Sequence, residues 1–331
     1  MSTKETNVKT PTVSILTATA LALFAPLAPA QGSYPERPIV LVVPTAAGGG
    51  TDTIARFLGE RFARALKQPV VIENKAGANG VLGTQNVINA PADGYRLLLT
   101  YTAAQVVNPV IMRKPPYDPI TDLTPIGQIG RVGNFVVVNP QLPVKTVKEL
   151  VDYAKANPDK LSYCSWGTGS GGHLLMEYIK KQTGAMMTHV PYKGTAPCMQ
   201  GVVGGQVMVA SGDIASTVGL VHSGRIRAIA YGGASRLPLL PDVPTLSESG
   251  ITFKAFSWYG LFAPAGTPKP IVQKISSTLQ EVLKEPATVE YLAKLNFTDI
   301  PMTTPEQFAD TVRQDAKTWG DLASSLNLVM D

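Results

Sequence analysis

The sequence contains only two cysteines and three histidines, and this scarcity excludes several kinds of site. Cys164 and Cys198 are too few for a disulfide-dense scaffold or a cysteine-rich zinc site. His173, His189 and His222 show no metal-ligand spacing, so we expect neither a metal nor a cofactor. Whether the two cysteines pair or remain buried free thiols is left open by the sequence.

Charged residues are also scarce, at 16% of 331 residues, and the net charge is only +5. The lysines and arginines form no continuous run and no basic stripe interleaved with aromatic residues, so nucleic acid is not an expected partner. Hydrophobic residues make up 44% of the chain, which is enough to bury a substantial core. The length predicts two domains.

Catalytic motifs are missing as well. The chain has no G-x-S-x-G elbow and no phosphate-binding G-x-x-x-x-G-K-[ST] loop. Residues 167–172 match G-x-G-x-x-G, but the next predicted strand, 188–191, supplies no acidic residue for a ribose hydroxyl. We therefore expect a protein that is not an enzyme, with an exported enzyme of unassigned chemistry as the alternative.

Long apolar runs are absent after the first thirty residues, and those residues follow the order of a secretory signal. Lys4 and Lys9 precede an apolar run at 13–27, and 28–30 has the small-x-small form of a cleavage site. A membrane anchor is the alternative, but a run of about 15 residues falls short of the roughly 20 needed to span a bilayer. We predict cleavage after Ala30 and a periplasmic protein.

Strand-like and helix-like segments alternate along the rest of the chain, which predicts an α/β fold with parallel or mostly parallel sheets. The predicted strands are 39–44, 70–73, 95–100, 161–165, 188–191, 206–210 and 226–231. The predicted helices are 52–66, a short one after Gly80, 147–156, 173–182, 197–203, 269–284, 287–295 and 305–326. We interpret the segments 126–138 and 252–261 as two crossings between lobes.

Four glycine-rich loops each follow a predicted strand and open a predicted helix. They are 44–52 (PTAAGGGTD), 74–80 (NKAGANG), 165–172 (SWGTGSGG) and 192–197 (YKGTAP). Glycine lets the backbone approach a ligand closely, and a helix start presents unpaired N–H groups that favour an anion. Each loop taken alone is equally well explained as a tight turn, but two loops in each half of the chain favour a pair of anion cradles.

Several motifs together resemble the tripartite tricarboxylate transporter substrate-binding proteins, the Bug or TctC-like family. They are 44–52, 73–80 (ENKAGANG), 91–95 (PADGY), 189–194 (HVPYKG), 240–245 (LPDVPT) and 258–264 (WYGLFAP). The resemblance implies a type II periplasmic-binding-protein fold, a Venus flytrap with two α/β lobes joined by two crossover segments. It also implies a carboxylate held largely by backbone amides and water, and delivery to a two-component membrane permease.

The same resemblance suggests domain bounds and a binding site. Lobe 1 would comprise 31–132 and 257–331, and lobe 2 would comprise 133–256, in a monomer. The candidate ligand-binding residues are Thr45, Ala47, Gly48, Gly49, Ala78, Asn79, Gly80 and Thr102 in lobe 1, with Ser165, Trp166, Thr168, Gly194, Thr195 and Asp213 in lobe 2.

Departures from the family pattern suggest which carboxylate is bound. The family commonly has Phe where Thr45 stands, a small polar residue where Trp166 stands, and Phe-Asp at 211–212, where this chain has Ser-Gly. Loss of that Asp disfavours an amino-acid ligand, because a buried ammonium needs a carboxylate partner, unless Asp213 takes over. A relocated aromatic surface at Trp166 suits a flat aromatic dicarboxylate such as terephthalate, although the ring is equally compatible with core packing. A sensor that presents its ligand to a membrane signalling protein is a further alternative.

Overall fold

The protein is represented by a computed structural model that describes residues 1–6, 34–158, 160–253, 257–295, 297 and 299–325, without the side chains of Asn79 and Ala215. The apolar run of the predicted signal peptide, 13–27, and the cleavage site after Ala30 therefore lie outside the described residues. The chain divides into two compact units, Met1–Glu36 and Arg37–Asp331, and both β-sheets belong to the second. In the described part of the chain, no helix is both long and apolar enough to cross a membrane.

The second unit alternates strands and helices. The strands are β1 (Ile39–Val43), β2 (Val70–Asn74), β3 (Arg96–Tyr101), β4 (Leu123–Val132), β5 (Phe135–Val138), β6 (Ser162–Ser165), β7 (Thr188–Pro191), β8 (Val209–Gly212), β9 (Arg227–Tyr231) and β10 (Ser257–Pro264). The helices are α1 (Gly50–Leu66), α2 (Val81–Ile88), α3 (Asn108–Ile111), α4 (Val147–Ala156), α5 (Gly171–Thr183), α6 (Thr195–Val203), α7 (Ile214–His222), α8 (Lys269–Lys284), α9 (Pro286–Lys294) and α10 (Pro305–Ser325). A 3₁₀ turn at Ala78–Gly80 precedes α2, and a π-helical turn at Ala103–Val107 precedes α3.

The strands form two five-stranded sheets with matching topology. The first has the order β2-β1-β3-β10-β4 and the second the order β7-β6-β8-β5-β9. In the first sheet β1 pairs with β2 and β3 in parallel, while β10 runs antiparallel to both β3 and β4. In the second, β6 pairs with β7 and β8 in parallel, while β5 runs antiparallel to both β8 and β9. Each sheet is therefore mixed, with one antiparallel strand in its fourth position.

Those two antiparallel strands are the ones that arrive from the other sheet. The chain leaves the first sheet at the end of β4 and enters the second as β5, and it returns to the first sheet as β10. Both crossings predicted from the sequence are present, although 126–138 is mostly strand, with the passage itself at residues 133–134. The expectation of mostly parallel sheets holds for the βαβ units and fails only at the crossing strands.

The first crossing requires glycine at position 133. A Cβ placed on Gly133 would lie 2.5 Å from the backbone nitrogen of Gly233 and 2.6 Å from the Tyr231 ring, which is closer than real contacts allow. The Gly133 N–H also donates to the Tyr231 hydroxyl at 2.9 Å. This hydrogen bond fixes the backbone where it passes between the sheets.

The helices form because their apolar residues recur at helical spacing and face the sheets. In α8, the residues Val272, Ile275, Leu279 and Val282 are buried and follow the three-to-four-residue repeat of an amphipathic helix. α7 was not predicted from the sequence, because its residues are mostly apolar with little polar contrast. The predicted strand 206–210 is in fact β8, displaced toward the carboxyl end, so Ser211 and Gly212 belong to the strand.

The two cysteines, whose pairing the sequence left open, form a disulfide. Cys164 in β6 and Cys198 in α6 have Cα atoms 5.8 Å apart. Both are fully buried, in a core cluster of the second sheet that includes Phe135, Met199 and Tyr231. The disulfide therefore joins a strand and a helix that each adjoin a glycine-rich loop.

Candidate ligand-binding site between the two sheets

The glycine-rich loops lie at the carboxyl ends of the parallel strands in both sheets, which is the edge where open α/β sheets bind ligands. One contact shows that these edges face each other. The Cβ position of Gly171, at the start of α5, is 3.4 Å from the Ser257 hydroxyl at the start of β10. Asp213, beside β8, is also near enough for its charge to raise the pKa of Tyr259 in β10, after the larger effects of burial and of Tyr101. Loops from both sheets thus border one cleft.

Three helix starts on this cleft have no side-chain cap among the described residues. The N-cap residues of α1, α2 and α6 are Gly49, Gly80 and Gly194, and none of these helices has a side-chain capping bond. Unpaired N–H groups at a helix start carry a partial positive charge and favour an anion. By contrast, Ser170 caps α5 and Asp213 caps α7. The uncapped starts occur on both sides of the cleft, two from the first sheet and one from the second.

A single buried carboxylate holds the two loops of the first sheet together. Asp52, which is 2% exposed, accepts hydrogen bonds from the Gly48 N–H at 2.8 Å, the Arg56 guanidinium at 2.9 Å and the Asn74 amide at 3.0 Å. The Asn74 amide also donates to the Thr45 carbonyl at 3.2 Å. Loops 44–52 and 74–80 are therefore fastened to each other through Asp52 and Asn74.

Electrostatics keep that carboxylate ionised. The hydrogen bond from Arg56 lowers the pKa of Asp52 most, the bonds from Gly48 and Asn74 lower it further, and burial opposes them. Sequence reasoning placed Asp52 in a loop motif and gave it no role. An Asp in the first turn of a helix is a recognisable signal for a contact with the helix dipole, but its partner Asn74 follows only from the fold.

A second polar network supports the loop 165–172 of the second sheet. The Ser165 hydroxyl lies 2.8 Å from His189 Nε2 and accepts from the Ser170 hydroxyl at 3.3 Å. The Gly169 N–H donates to His173 Nδ1 at 3.1 Å, so that nitrogen carries no proton. The His173 and His189 rings stack with centroids 4.0 Å apart. Candidate residue Ser165 is thus a buried anchor of its loop.

Both stacked histidines are held neutral. Burial lowers the pKa of His173, and burial together with the neighbouring His173 lowers the pKa of His189 to about 4. A Ser–His contact of this length is found in hydrolases, but here Ser165 is 0% exposed and its hydroxyl is engaged by its own loop. The hydrogen bonds of Ser165 to Gly167 and of Gly169 to His173 lie within the loop or between the loop and α5, so the arrangement holds the loop in place.

Trp166 and Thr102 are in contact with protein groups. A Cβ on Gly172 would lie 2.4 Å from the Trp166 ring, so one face of the half-buried indole packs directly on the start of α5. Thr102 is 2% exposed, and its hydroxyl accepts from the Trp258 N–H at 2.8 Å. That hydrogen bond joins the end of β3 to β10. Thr102, which was predicted to contact the ligand, therefore has a structural role here.

The remaining candidates differ in exposure. Ala47, Gly48, Gly49, Ala78 and Thr168 are exposed, Thr45, Trp166, Gly194 and Asp213 are half-buried, and Gly80, Thr102, Ser165 and Thr195 are buried. The side chain of Asn79 lies outside the described residues. The hydroxyls of Thr45 and Ser211 are buried without a hydrogen-bond partner in the described part of the structure. Both residues are positions where the chain differs from the family pattern.

Two tyrosines on the same edge were not predicted. Tyr101 ends β3, and the β3–β10 pairing places Tyr259 opposite it, with ring centroids 6.3 Å apart. The Tyr101 hydroxyl lies 3.5 Å from the Cβ position of Gly80, and the Tyr259 hydroxyl lies 3.8 Å from that of Gly50. The motif 258–264 contains Tyr259, but nothing in the sequence indicates that its neighbour across the sheet is Tyr101.

Comparison with known proteins identifies the family. The family profile described as "Tripartite tricarboxylate transporter family receptor" matches residues 54–328. The chain belongs to this family. The profile includes strands of both sheets and the glycine-rich loops 74–80, 165–172 and 192–197, whereas β1 and the loop 44–52 precede it.

Three similar proteins of known structure share the fold closely. The periplasmic binding protein BugD is 36% identical, with a TM-score of 0.74 over 90% of this chain and 100% of that one. An R. palustris protein solved with adipate is 33% identical, with a TM-score of 0.78 over 89% of this chain and 99% of that one. MatC from Rhodopseudomonas palustris, solved with malate, is 31% identical, with a TM-score of 0.75 over 87% of this chain and 99% of that one. The two-lobed, type II periplasmic-binding-protein fold expected from the motifs is therefore confirmed.

Proposed function

We propose that this protein is a periplasmic receptor that binds one small dicarboxylate in the cleft between its sheets and passes it unchanged to a two-component membrane permease. The observation that carries the proposal is the set of uncapped helix starts at Gly49, Gly80 and Gly194, on both sides of one cleft. The adipate and malate bound by the two R. palustris relatives support a dicarboxylate.

The chemistry of these groups suits a carrier. Backbone N–H groups at helix starts are fixed dipoles without a full charge, so a carboxylate is stabilised in a closed cleft and released when the lobes separate. The carboxylate of Asp52 does not repel the ligand strongly, because Arg56 pairs with it at 2.9 Å. Its role is to hold the loop that presents the N–H groups.

Within the dicarboxylates we propose an aromatic one, with terephthalate as the test compound. The half-buried Trp166 ring and the small residues at 211–212 support this choice. In our proposal Asp213 does not pair with a ligand ammonium, because its Oδ1 accepts from the Ser216 N–H at 2.8 Å as the cap of α7. An amino acid is therefore disfavoured.

The accompanying proposals concern the mature protein. We propose cleavage after Ala30, lobes at 31–132 plus 257–331 and at 133–256, and a monomer in solution. The ligand would contact Ala47–Gly49 and Ala78–Gly80 on one wall, and 165–168 with 194–195 on the other. Mass spectrometry of the exported protein tests the cleavage site, since a first residue other than Gln31 would contradict it.

A thermal-shift screen tests the proposed function. Aliphatic dicarboxylates, tricarboxylates, aromatic carboxylates and amino acids are added to the purified mature chain. A ligand at a hundred times its Kd stabilises the folded state by about 2.7 kcal/mol. That corresponds to a rise of roughly 4 °C in Tm for a chain of this size. Stabilisation by amino acids alone would contradict the dicarboxylate proposal, and chemical conversion of a bound compound would support an exported enzyme instead.

Delivery to a permease is tested in cells. Deletion of the gene should abolish uptake of the stabilising compound. Induction of its catabolic genes should still occur whenever the compound enters the cell. Loss of induction with uptake intact would instead identify a sensor.

A further inference from the structure

The cleft edge of the first sheet carries two aromatic rings side by side. Tyr101 is the last residue of β3, and Tyr259 lies opposite it on β10, with centroids 6.3 Å apart and ring planes 52° apart. Residues directly opposite on neighbouring strands project from the same face of a sheet. Both side chains are half-buried, whereas Thr100 and Trp258, which precede them in the chain, are 0% and 1% exposed.

Each hydroxyl lies near one of the two glycine-rich loops of the first sheet, 44–52 and 74–80. The Tyr101 hydroxyl is 3.5 Å from the Cβ position of Gly80, the N-cap of α2. The Tyr259 hydroxyl is 3.8 Å from the Cβ position of Gly50, in the first turn of α1. A ligand that spans these two helix starts therefore lies along the tyrosine pair.

The pair also lies within electrostatic range of the second sheet. Burial raises the pKa of Tyr259 to about 12, and the neighbouring Tyr101 and then the charge of Asp213, the N-cap of α7, contribute smaller increases. Burial also raises the pKa of Tyr101 to about 12. Both phenols therefore stay protonated and remain hydrogen-bond donors. No protein hydrogen bond to the Tyr101 hydroxyl is present among the described residues, so this donor is available to a ligand.

We infer that Tyr101 and Tyr259 form the surface that recognises the part of the ligand between its carboxylates. The ring of an aromatic dicarboxylate stacks on this surface, between the starts of α1 and α2. This inference rests on the proposed function and names the residues that read the part of the ligand between its carboxylates. Aromatic rings favour offset or tilted contacts with one another, which a flexible aliphatic chain does not replace. Trp166 contributes less, because one face of its indole is covered by Gly172.

The test compares terephthalate with adipate by isothermal titration calorimetry. Tyr101→Leu and Tyr259→Leu should each weaken terephthalate binding about tenfold, in line with one lost aromatic contact of about 1.4 kcal/mol. Adipate binding should change less than about threefold, because leucine preserves apolar contact. Tyr101→Phe and Tyr259→Phe keep the rings and measure the hydroxyls separately. Tyr291→Leu is the control variant. Tyr291 lies in α9, away from the cleft edge, and its ring stacks on Phe57 of α1 at 3.7 Å, so its removal should leave both affinities unchanged.

A second measurement uses the wild-type protein and therefore requires no variant to fold. Nuclear Overhauser effects between terephthalate ring protons and the ring protons of Tyr101 and Tyr259 are expected in the wild-type complex. Their absence, or an equal loss of adipate and terephthalate affinity in folded leucine variants, would overturn the inference. A wild-type protein that binds adipate but not terephthalate would overturn it, together with the choice of an aromatic ligand, while leaving the proposed dicarboxylate receptor intact. A wild-type protein that binds no carboxylate would refute the proposed function itself.

Discussion

Removing the disulfide should destabilise the protein by about 4 kcal/mol. Cys164 and Cys198 are separated by 34 residues in the sequence. The loop-entropy relation gives about 3 kcal/mol for a 15-residue loop and about 4.7 kcal/mol for a 100-residue loop, so this loop falls near 4 kcal/mol. Both cysteines are fully buried, and their replacement by alanine leaves little unfilled volume beyond the lost sulfur atoms.

The assay is equilibrium unfolding of the Cys164→Ala/Cys198→Ala double variant by circular dichroism. With roughly 1.6 °C in Tm for each kcal/mol in a chain of this size, the midpoint should fall by about 6 °C. The wild type refolded under reducing conditions should show the same loss, while the reductant should leave the double variant unchanged. A loss below about 1 kcal/mol would refute the reasoning, because it would mean that the cross-link does not restrict the unfolded chain as the relation requires.

Three further predictions concern the crossing, the loop anchor and pH. Gly133→Ala should cost several kcal/mol by denaturant unfolding, because its Cβ would lie 2.5 Å from a backbone nitrogen. Gly219→Ala, in α7 with nothing within 4 Å, is the matched control and should be neutral or stabilising. Asp52→Ala should destabilise the fold by about 2–4 kcal/mol and weaken dicarboxylate binding at least tenfold by calorimetry, because three hydrogen bonds to a buried charge are lost. The pKa of His189 is lowered in the folded protein from 6.5 to about 4, so its contribution to stability is complete above about pH 6.5 and is lost as pH falls through 4. His189→Gln should flatten that part of the stability profile, whereas His222→Gln, at an exposed position, should not.

Each of these predictions has a contradicting result. Equal stability of the alanine variants at 133 and 219 would mean that the crossing relaxes to admit a side chain. Unchanged dicarboxylate affinity in a folded Asp52→Ala protein would show that the loops hold their form without the buried carboxylate. A stability profile between pH 6.5 and 4 that keeps its slope in His189→Gln would assign that slope to other groups.

The sequence predicted the repeating parts of the fold and missed the parts that depend on which segments meet. Alternating segments identify βαβ units because each helix and strand carries its own periodicity, and β1, α1 and β7 were predicted within about two residues, the usual scatter of element boundaries. Strand order is a property of pairing between distant segments. The antiparallel insertion of β5 and β10 therefore had no local signal.

The candidate site likewise has features that local sequence predicts and features that depend on tertiary structure. The glycine-rich loops were recognisable because strand polarity brings every βα loop to one edge of a sheet. The contact of Asp52 with Asn74, 22 residues away, and the pairing of Tyr101 with Tyr259 depend on tertiary structure. Trp166 was predicted to offer its ring to a ligand, and the glycine that covers one face lies on the next helix. Whether its other face meets the ligand stays a prediction.

The most direct test of the central claim is a calorimetric titration of the mature chain with terephthalate, adipate and malate, followed by NMR of the recovered ligand. We expect that at least one dicarboxylate binds with a stoichiometry of one per chain, that its affinity falls in the Asp52→Ala protein, and that it is recovered unchanged. Absence of binding by all three, or recovery of a chemically altered ligand, would contradict it.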